Sequence, residues 1–148
     1  GEHLMWNKHS CFETSMHAPL LIAAPGLRGV KPGTRVSALV EFIDIYPGLC
    51  ELAGLPQPKH LEGRSLVPLM KDPGAPWKKH AVGRFKQGDT VRTDRYRYSE
   101  YRKNDQLIGH MLYDHEKDPG ENRNISGSPE NQSLVQGLGK VLDRIKGR

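Results

Sequence analysis

No stretch of this 148-residue sequence approaches the roughly eighteen consecutive apolar residues that a membrane-spanning helix requires, so a membrane is not expected among its partners. Cysteine is scarce. Cys11 and Cys50 lie far apart, no C-x-x-C occurs, and neither a zinc knuckle nor a redox pair is indicated. Each is flanked by apolar residues, the setting of a buried packing thiol. Aromatic residues reach only 7% and apolar residues a modest 36%, while Gly (16) and Pro (11) are plentiful. Short elements joined by many turns are expected, enough for one domain or for a domain tail plus a small subdomain. There is no internal repeat. No initiator Met, signal-like segment or polar lead-in stands ahead of Gly1, and the chain reads as the C-terminal part of something larger. The net charge of +5 is compatible with anionic partners and equally with a solvated basic surface.

What is present is organised around the first stretch, Gly1-Glu2-His3-Leu4-Met5-Trp6-Asn7-Lys8-His9-Ser10-Cys11-Phe12-Glu13. It is dense in His, Lys and Glu and runs straight into the apolar segment Ala18 to Gly26. Such a delivery is how α/β enzymes bring side chains to the end of a sheet. Leu20 to Ala24 reads as a short buried strand closed by Pro25-Gly26, and Val36 to Phe42 as a loosely alternating extended lead-in. A helix follows: Asp44 can cap it, Pro47 falls in its first turn, Ile45, Leu49, Leu52 and Ala53 share a face, and Gly54 stops it. The same logic at Ser65 and Pro68 gives a short helix through Met70.

Lys71 to Pro76 is a turn-rich break, which divides the chain into residues 1–75 and 76–148. Beyond it the period changes to two. Ala81 to Phe85, Thr90 to Thr93, Tyr96 to Tyr101 and Met111 to Asp114 read as four short strands, with turns at Gln87-Gly88-Asp89 and Thr93-Asp94-Arg95. Ser128 then caps a last helix with Pro129 at its first position. Leu134, Leu138, Val141, Leu142 and Ile145 form its apolar stripe, which should pack on the sheet. Gly137 and Gly139 each weaken that helix by roughly 1 kcal/mol relative to Ala.

Among residues that could carry chemistry, the ammonium of Lys8 could stabilise a group whose oxygens bear negative charge. His3, His9 and His17 invite a metal reading, but spacings of six and eight match no helical ligand pair. Glu2 and Glu13 could pass for an acid–base pair, though helix or loop capping suits them better. Asp114, Asp118 and Glu121 form an acidic loop without EF-hand spacing, and a turn held by Asx hydrogen bonds is favoured. Arg92, Arg95, Arg97 and Arg102 interleave with Tyr96, Tyr98 and Tyr101, a pattern that could stack on nucleic acid. In a strand, however, it puts Tyr96, Tyr98 and Arg102 on one face and Arg95, Arg97 and Tyr101 on the other, as in an ordinary half-buried sheet. Asn124-Ile125-Ser126 and Asn131-Gln132-Ser133 fit the glycosylation sequon.

The block G-E-H-x-x-W-x-K-x-S-x-F-E, followed by P-L-L-I-x-x-P-G, resembles the segment after the metal-binding Asp-His pair in type I sulfatases of the alkaline-phosphatase superfamily. Val40 to Pro47 through Leu52 to Pro56, Gly63-Arg64-Ser65-Leu66, Leu112-Tyr113-Asp114 and Asp118 to Asn122 resemble further family blocks in order and spacing. Arg92 to Tyr98 and the Tyr46-Pro47 helix start are most similar to iduronate-2-sulfatases. The resemblance implies an α/β sulfatase fragment: the last strand and helices of the large catalytic domain in 1–75, then in 76–148 a four-stranded antiparallel sheet packed with a C-terminal helix.

It also implies a calcium-dependent sulfuric ester hydrolase acting on 2-O-sulfated iduronate in glycosaminoglycans. Lys8 matches the lysine that contacts the substrate sulfate. His9 follows it, with a substrate-facing and a surface role both open, and His3 has a supporting role behind the substrate-contacting groups. The family's nucleophile is a formylglycine in a C/S-x-P-x-R motif, which neither Cys11 nor Cys50 fits. No catalytic residue and no metal ligand is thus expected in this chain: nucleophile and calcium ligands belong upstream, and the fragment alone should be inactive. The expected partners are the sulfated sugar and the upstream catalytic part, with no nucleic acid, in a periplasmic, secreted or lysosomal setting. The alternatives are a phosphodiesterase or phosphonate hydrolase of the same superfamily, or a non-enzymatic basic module binding nucleic acid or sulfated glycan.

Overall fold

The computed structural model describes residues 1–6 and 8–145. The chain forms two compact units, Leu20–Lys79 and Gly1–Pro19 together with His80–Arg148. The first nineteen residues therefore group with the sheet that begins sixty residues later.

That sheet is an antiparallel meander of β1 (His80–Phe85), β2 (Gly88–Thr93), β3 (Tyr96–Lys103) and β4 (Gln106–Asp114), in the order β1-β2-β3-β4. Its turns explain its register. Phe85 pairs with Gly88 across Lys86-Gln87, and Lys86 takes the left-handed φ of 52°. Gly88 is obligatory, since a Cβ there would stand 2.7 Å from the Tyr101 ring and 2.9 Å from the Cys11 sulfur. Thr93 clamps the second turn by accepting the Tyr96 amide on its hydroxyl at 2.9 Å. Asn104 and Asp105 both adopt positive φ, the mirror-image geometry that suits strand twist.

Side chains alternate across the sheet and both faces are covered. On one, Val91, Tyr98 and Leu112 pack with Leu138 and Leu142 of helix α4 (Gln132–Ile145). The helical stripe lands as its spacing dictates, except that Ile145 is 48% exposed. Pro129 opens a 3₁₀ turn ahead of the helix, but the Ser128 side chain makes no cap hydrogen bond. The two helix glycines differ: a Cβ on Gly137 meets nothing, whereas one on Gly139 would come 3.1 Å from Glu100 Oε1. Gly139 thus lets the helix approach the sheet. The sequon asparagines are used internally. Asn124 accepts the amides of Leu112 and Ser126, each at 3.0 Å, and Asn131 donates to the Ile125 carbonyl.

The unit Leu20–Lys79 is built on α2 (Ile45–Leu52) and α3 (Val67–Lys71), with Gly54 at φ 66° ending the first. Asp44 does not cap α2. Fully buried, its carboxylate accepts the amides of Glu41 (2.8 Å) and Arg64 (2.9 Å) and pairs with Lys78 at 2.6 Å. Gly63 permits this closure, because any Cβ there would overlap the Ile43 carbonyl. Ser65 does serve its helix, accepting the Val67 amide at 3.2 Å. Leu20 to Ala24 forms no strand. A strand needs a ladder partner, and this run instead lines an apolar cleft of about 240 Å³ with Ile45, Leu49 and Met70. Val36 to Phe42 likewise pairs with nothing in a sheet. Among the described residues no helix is long and apolar enough to cross a membrane.

Candidate functional site

From His9 to Glu13 the polar N-terminal stretch lies on the sheet face opposite α4 and is anchored there by rings, hydrogen bonds and ion pairs. Lys8 is exposed, and its ammonium forms no ion pair with the described residues. Its backbone is fixed: the Lys8 carbonyl accepts the Ser10 amide at 3.1 Å. Ser10 shares a hydrogen bond with Ser15 at 2.6 Å and accepts the Phe12 amide at 3.3 Å. Cys11, 1% exposed, fits the space that Gly88 leaves open, and burial pushes its thiol pKa up.

Rings steady the flanks. His9 is exposed, yet its imidazole lies nearly parallel to Phe85 with centroids 5.3 Å apart. The two residues help line a cleft of about 210 Å³ that also reaches Lys86 and Tyr101. His3, with left-handed φ of 56°, stacks on Phe12 at 3.8 Å, and Phe12 in turn meets Tyr113. Lys8 and His9 thus stand together on the outer side, with His3 in a half-buried stack behind.

The strongest anchor is the short helix α1 (Glu13–Met16). The Glu13 carboxylate pairs with Arg97, with Arg92 at 3.3 Å and with His17 at 3.0 Å. His17 is exposed, with Nδ1 beside the Glu13 carboxylate. The Glu13 amide donates to Glu121 Oε2 at 2.7 Å. The other Glu121 oxygen lies 2.8 Å from His115 Nε2 and 2.8 Å from Arg97 Nε, the latter without hydrogen-bond alignment. Arg97 and Glu121 are 3% and 2% exposed. Burial pushes the Glu13 carboxyl up, but the Arg97 hydrogen bond and charge, with the charges of Arg92 and His115, outweigh it and hold it below the usual glutamate range.

Glu13, His115 and Glu121 bring one ligand atom each within 4.8 Å of one another. A divalent cation does not fit them, because Arg97 and Arg92 already neutralise the carboxylates and Arg97 fills the space between. The cluster is an ion network that binds segment to sheet. Of the acidic loop, Asp114 and Asp118 do hold turns: Asp114 accepts the Glu116 amide and Asp118 accepts the Arg123 amide. Glu121 turns inward instead, at a left-handed φ of 55°. Arg92, Arg97, His115 and Glu121 escape sequence reasoning as a group. The available signals were the placement of Arg97 on the strand face opposite Tyr98 and the Asp118-Pro119-Gly120-Glu121-Asn122 block.

With this geometry in hand, likeness to known proteins becomes informative. Human arylsulfatase K is 33% identical over 160 residues, covering 98% of this chain and 29% of that protein. The Δ4,5-hexuronate-2-O-sulfatase of Bacteroides thetaiotaomicron is 31% identical over 155 residues, covering 97% and 31%. The chain thus spans about three-tenths of the length of these relatives. Among solved structures, a protein in complex with its substrate D-glucosamine-2-N,6-O-disulfate superposes with a TM-score of 0.72 at 25% identity, over 81% of this chain and 26% of that one. A phosphonate monoester hydrolase from Silicibacter pomeroyi superposes with a TM-score of 0.71 at 25% identity, over 81% and 27%. The family model for the C-terminal part of N-sulphoglucosamine sulphohydrolase matches residues 1–148, and the chain belongs to that sulfatase family.

Proposed function

We propose that this chain is the C-terminal part of a sulfatase that hydrolyses 2-O-sulfate esters of iduronate in glycosaminoglycans, and that Lys8 holds the substrate sulfate. The observation that carries the reading is an exposed lysine directly followed by His9 to Glu13, which are anchored on the sheet or on helix α1. An ammonium presented from a placed backbone stabilises the charge on a sulfuryl group. His9 stands beside it at the mouth of the cleft as a second contact to substrate. His3, stacked on Phe12, keeps the segment's course. In the intact enzyme residues 1–75 then complete the large catalytic domain, their first nineteen residues packing on the sheet subdomain that 76–148 form and whose β1–β2 turn borders the sugar.

The similarity to the hexuronate-2-O-sulfatase and to the protein in complex with its glucosamine disulfate substrate supports a sulfated sugar as substrate; the setting in this reading is periplasmic, secreted or lysosomal. The nucleophile and calcium come from chain outside this segment. Calcium supplies polarisation of the ester oxygens, and the Glu13, His115 and Glu121 cluster, neutralised by Arg97 and Arg92, is not its site. The isolated chain accordingly releases no sulfate.

The test is turnover by the intact enzyme on an iduronate-2-sulfate disaccharide, with and without calcium chelation, against a phosphonate monoester at equal concentration. Chelation-sensitive sulfate release with little phosphonate turnover is expected. Preferential phosphonate hydrolysis would favour the second reading, for which the similarity to the Silicibacter pomeroyi enzyme speaks.

A further inference from the structure

We propose that Glu121 is a positioning residue for Lys8: from the turn after β4 it fixes, through the Glu13 amide and Arg97, the segment that presents the lysine to sulfate. The proposal rests on the reading of Lys8 as sulfate anchor.

Glu121 has no contact with solvent chemistry, being 2% exposed, and lies 108 residues from the helix it holds. Its two oxygens are divided between the two things that must be kept in register. Oε2 takes the backbone amide of Glu13 at 2.7 Å, which fixes main chain rather than a side chain. Oε1 faces Arg97 and His115, each at 2.8 Å. Arg97 then returns to the Glu13 carboxylate, so one strand residue grips both glutamates. Helix α1 is thereby fixed at its first residue by a closed loop of charge.

From there the constraint runs back to Lys8 in few steps. Ser15 of that helix is bonded to Ser10 at 2.6 Å, and the Ser10 amide is bonded to the Lys8 carbonyl at 3.1 Å. Among the described residues none forms a hydrogen bond or ion pair with the Lys8 side chain, so its reach is set by where this backbone is placed. The left-handed φ of 55° at Glu121 shows the turn is bent to aim the carboxylate inward. Glutamate pays a steric penalty there that a glycine would not. A turn needed only to reverse the chain has no use for a buried charge at that angle.

The experiment is a double-mutant cycle in the intact enzyme, with kcat/KM on an aryl sulfate and the inhibition constant of inorganic sulfate as readouts. Glu121→Gln leaves one acceptor oxygen where amide, guanidinium and imidazole converge. Glu13→Ala, at the partly exposed end of the network, serves should the buried variant fail to fold. A displacement of the anchoring lysine by about an ångström costs up to about a hundredfold. Each change should lower kcat/KM and weaken sulfate inhibition by about tenfold or more when Lys8 is present. In a Lys8→Ala background the same changes should cost less than about twofold, since the group they position is gone. Equal losses in both backgrounds would overturn the proposal and leave Glu121 a residue of general stability. A Lys8→Ala enzyme with unchanged kinetics would instead remove the sulfate-anchor reading itself, and this proposal with it.

Discussion

The two faces of the small sheet are built from opposite materials. Toward α4, Val91, Tyr98 and Leu112 meet Leu138 and Leu142 in a mainly apolar layer, beside which the buried Glu100 pairs with Arg102. Toward the N-terminal segment, Arg97, Glu13, Glu121 and Arg92 meet in a buried ion network. Apolar burial is non-directional, and it tolerates shifts so long as volume is kept. Buried charge pairs gain little net stability but permit only arrangements in which every charge is met. One face therefore supplies stability and the other supplies position. The segment bearing Lys8 lies on the second.

Breaking the ionic face should have the largest effect. Arg97→Ala leaves the buried Glu121 and the half-buried Glu13 without their shared cation, a loss of about 3–5 kcal/mol. Hydrogen exchange across β2 and β3 in the intact protein reads it as local opening. Leu112→Ala, on the apolar face and fully buried, should cost about 2–5 kcal/mol by the same measure. The two variants should part in kinetics. Arg97→Ala is expected to weaken sulfate inhibition in molecules that remain folded, and Leu112→Ala to leave it unchanged. Equal kinetic losses would erase the distinction between the faces.

Acid should act on the ionic face first. The folded Glu13 carboxyl lies below its unfolded value, so its stabilisation is complete above the ordinary glutamate range. It is lost as pH falls through the folded value, because the unfolded chain takes up the proton more readily. Replacement by Gln should flatten that part of the pH–stability curve around β3, while Leu112→Ala shifts the curve without changing its slope. The smallest effect separates the two helix glycines. Gly137→Ala should stabilise α4 by up to about 1 kcal/mol, whereas Gly139→Ala should gain less or lose, because of the Glu100 carboxylate 3.1 Å away. Equal gains in exchange protection would refute that reading of the close approach.

The apolar face was the legible one. The stripe from Leu134 to Leu142 and the alternation in β1 to β4 announce themselves because burial on one side leaves a periodic trace. The run Leu20 to Ala24 misled for the same reason: five apolar residues look like a strand whether or not a partner is present. Asp44 occupies the position of a helix cap, yet it is fully buried and binds backbone twenty residues away, which no local pattern reveals. The ionic face left less trace still. Arg97 and Tyr98 alternate as any half-buried strand does, and an inward-turned Glu121 depends on a left-handed backbone that glutamate seldom adopts. The role proposed for Lys8 rests in the sequence only on the motif around it. Composition and spacing alone would have left it one of many basic residues.

The most direct measurement is kcat/KM of the intact enzyme carrying Lys8→Ala on an iduronate-2-sulfate disaccharide. A sulfate anchor held by a pinned backbone predicts a fall of about a hundredfold or more, about 2.7 kcal/mol of transition-state stabilisation. Wild-type kinetics in that variant would contradict the account, leaving the ion network with nothing catalytic to position.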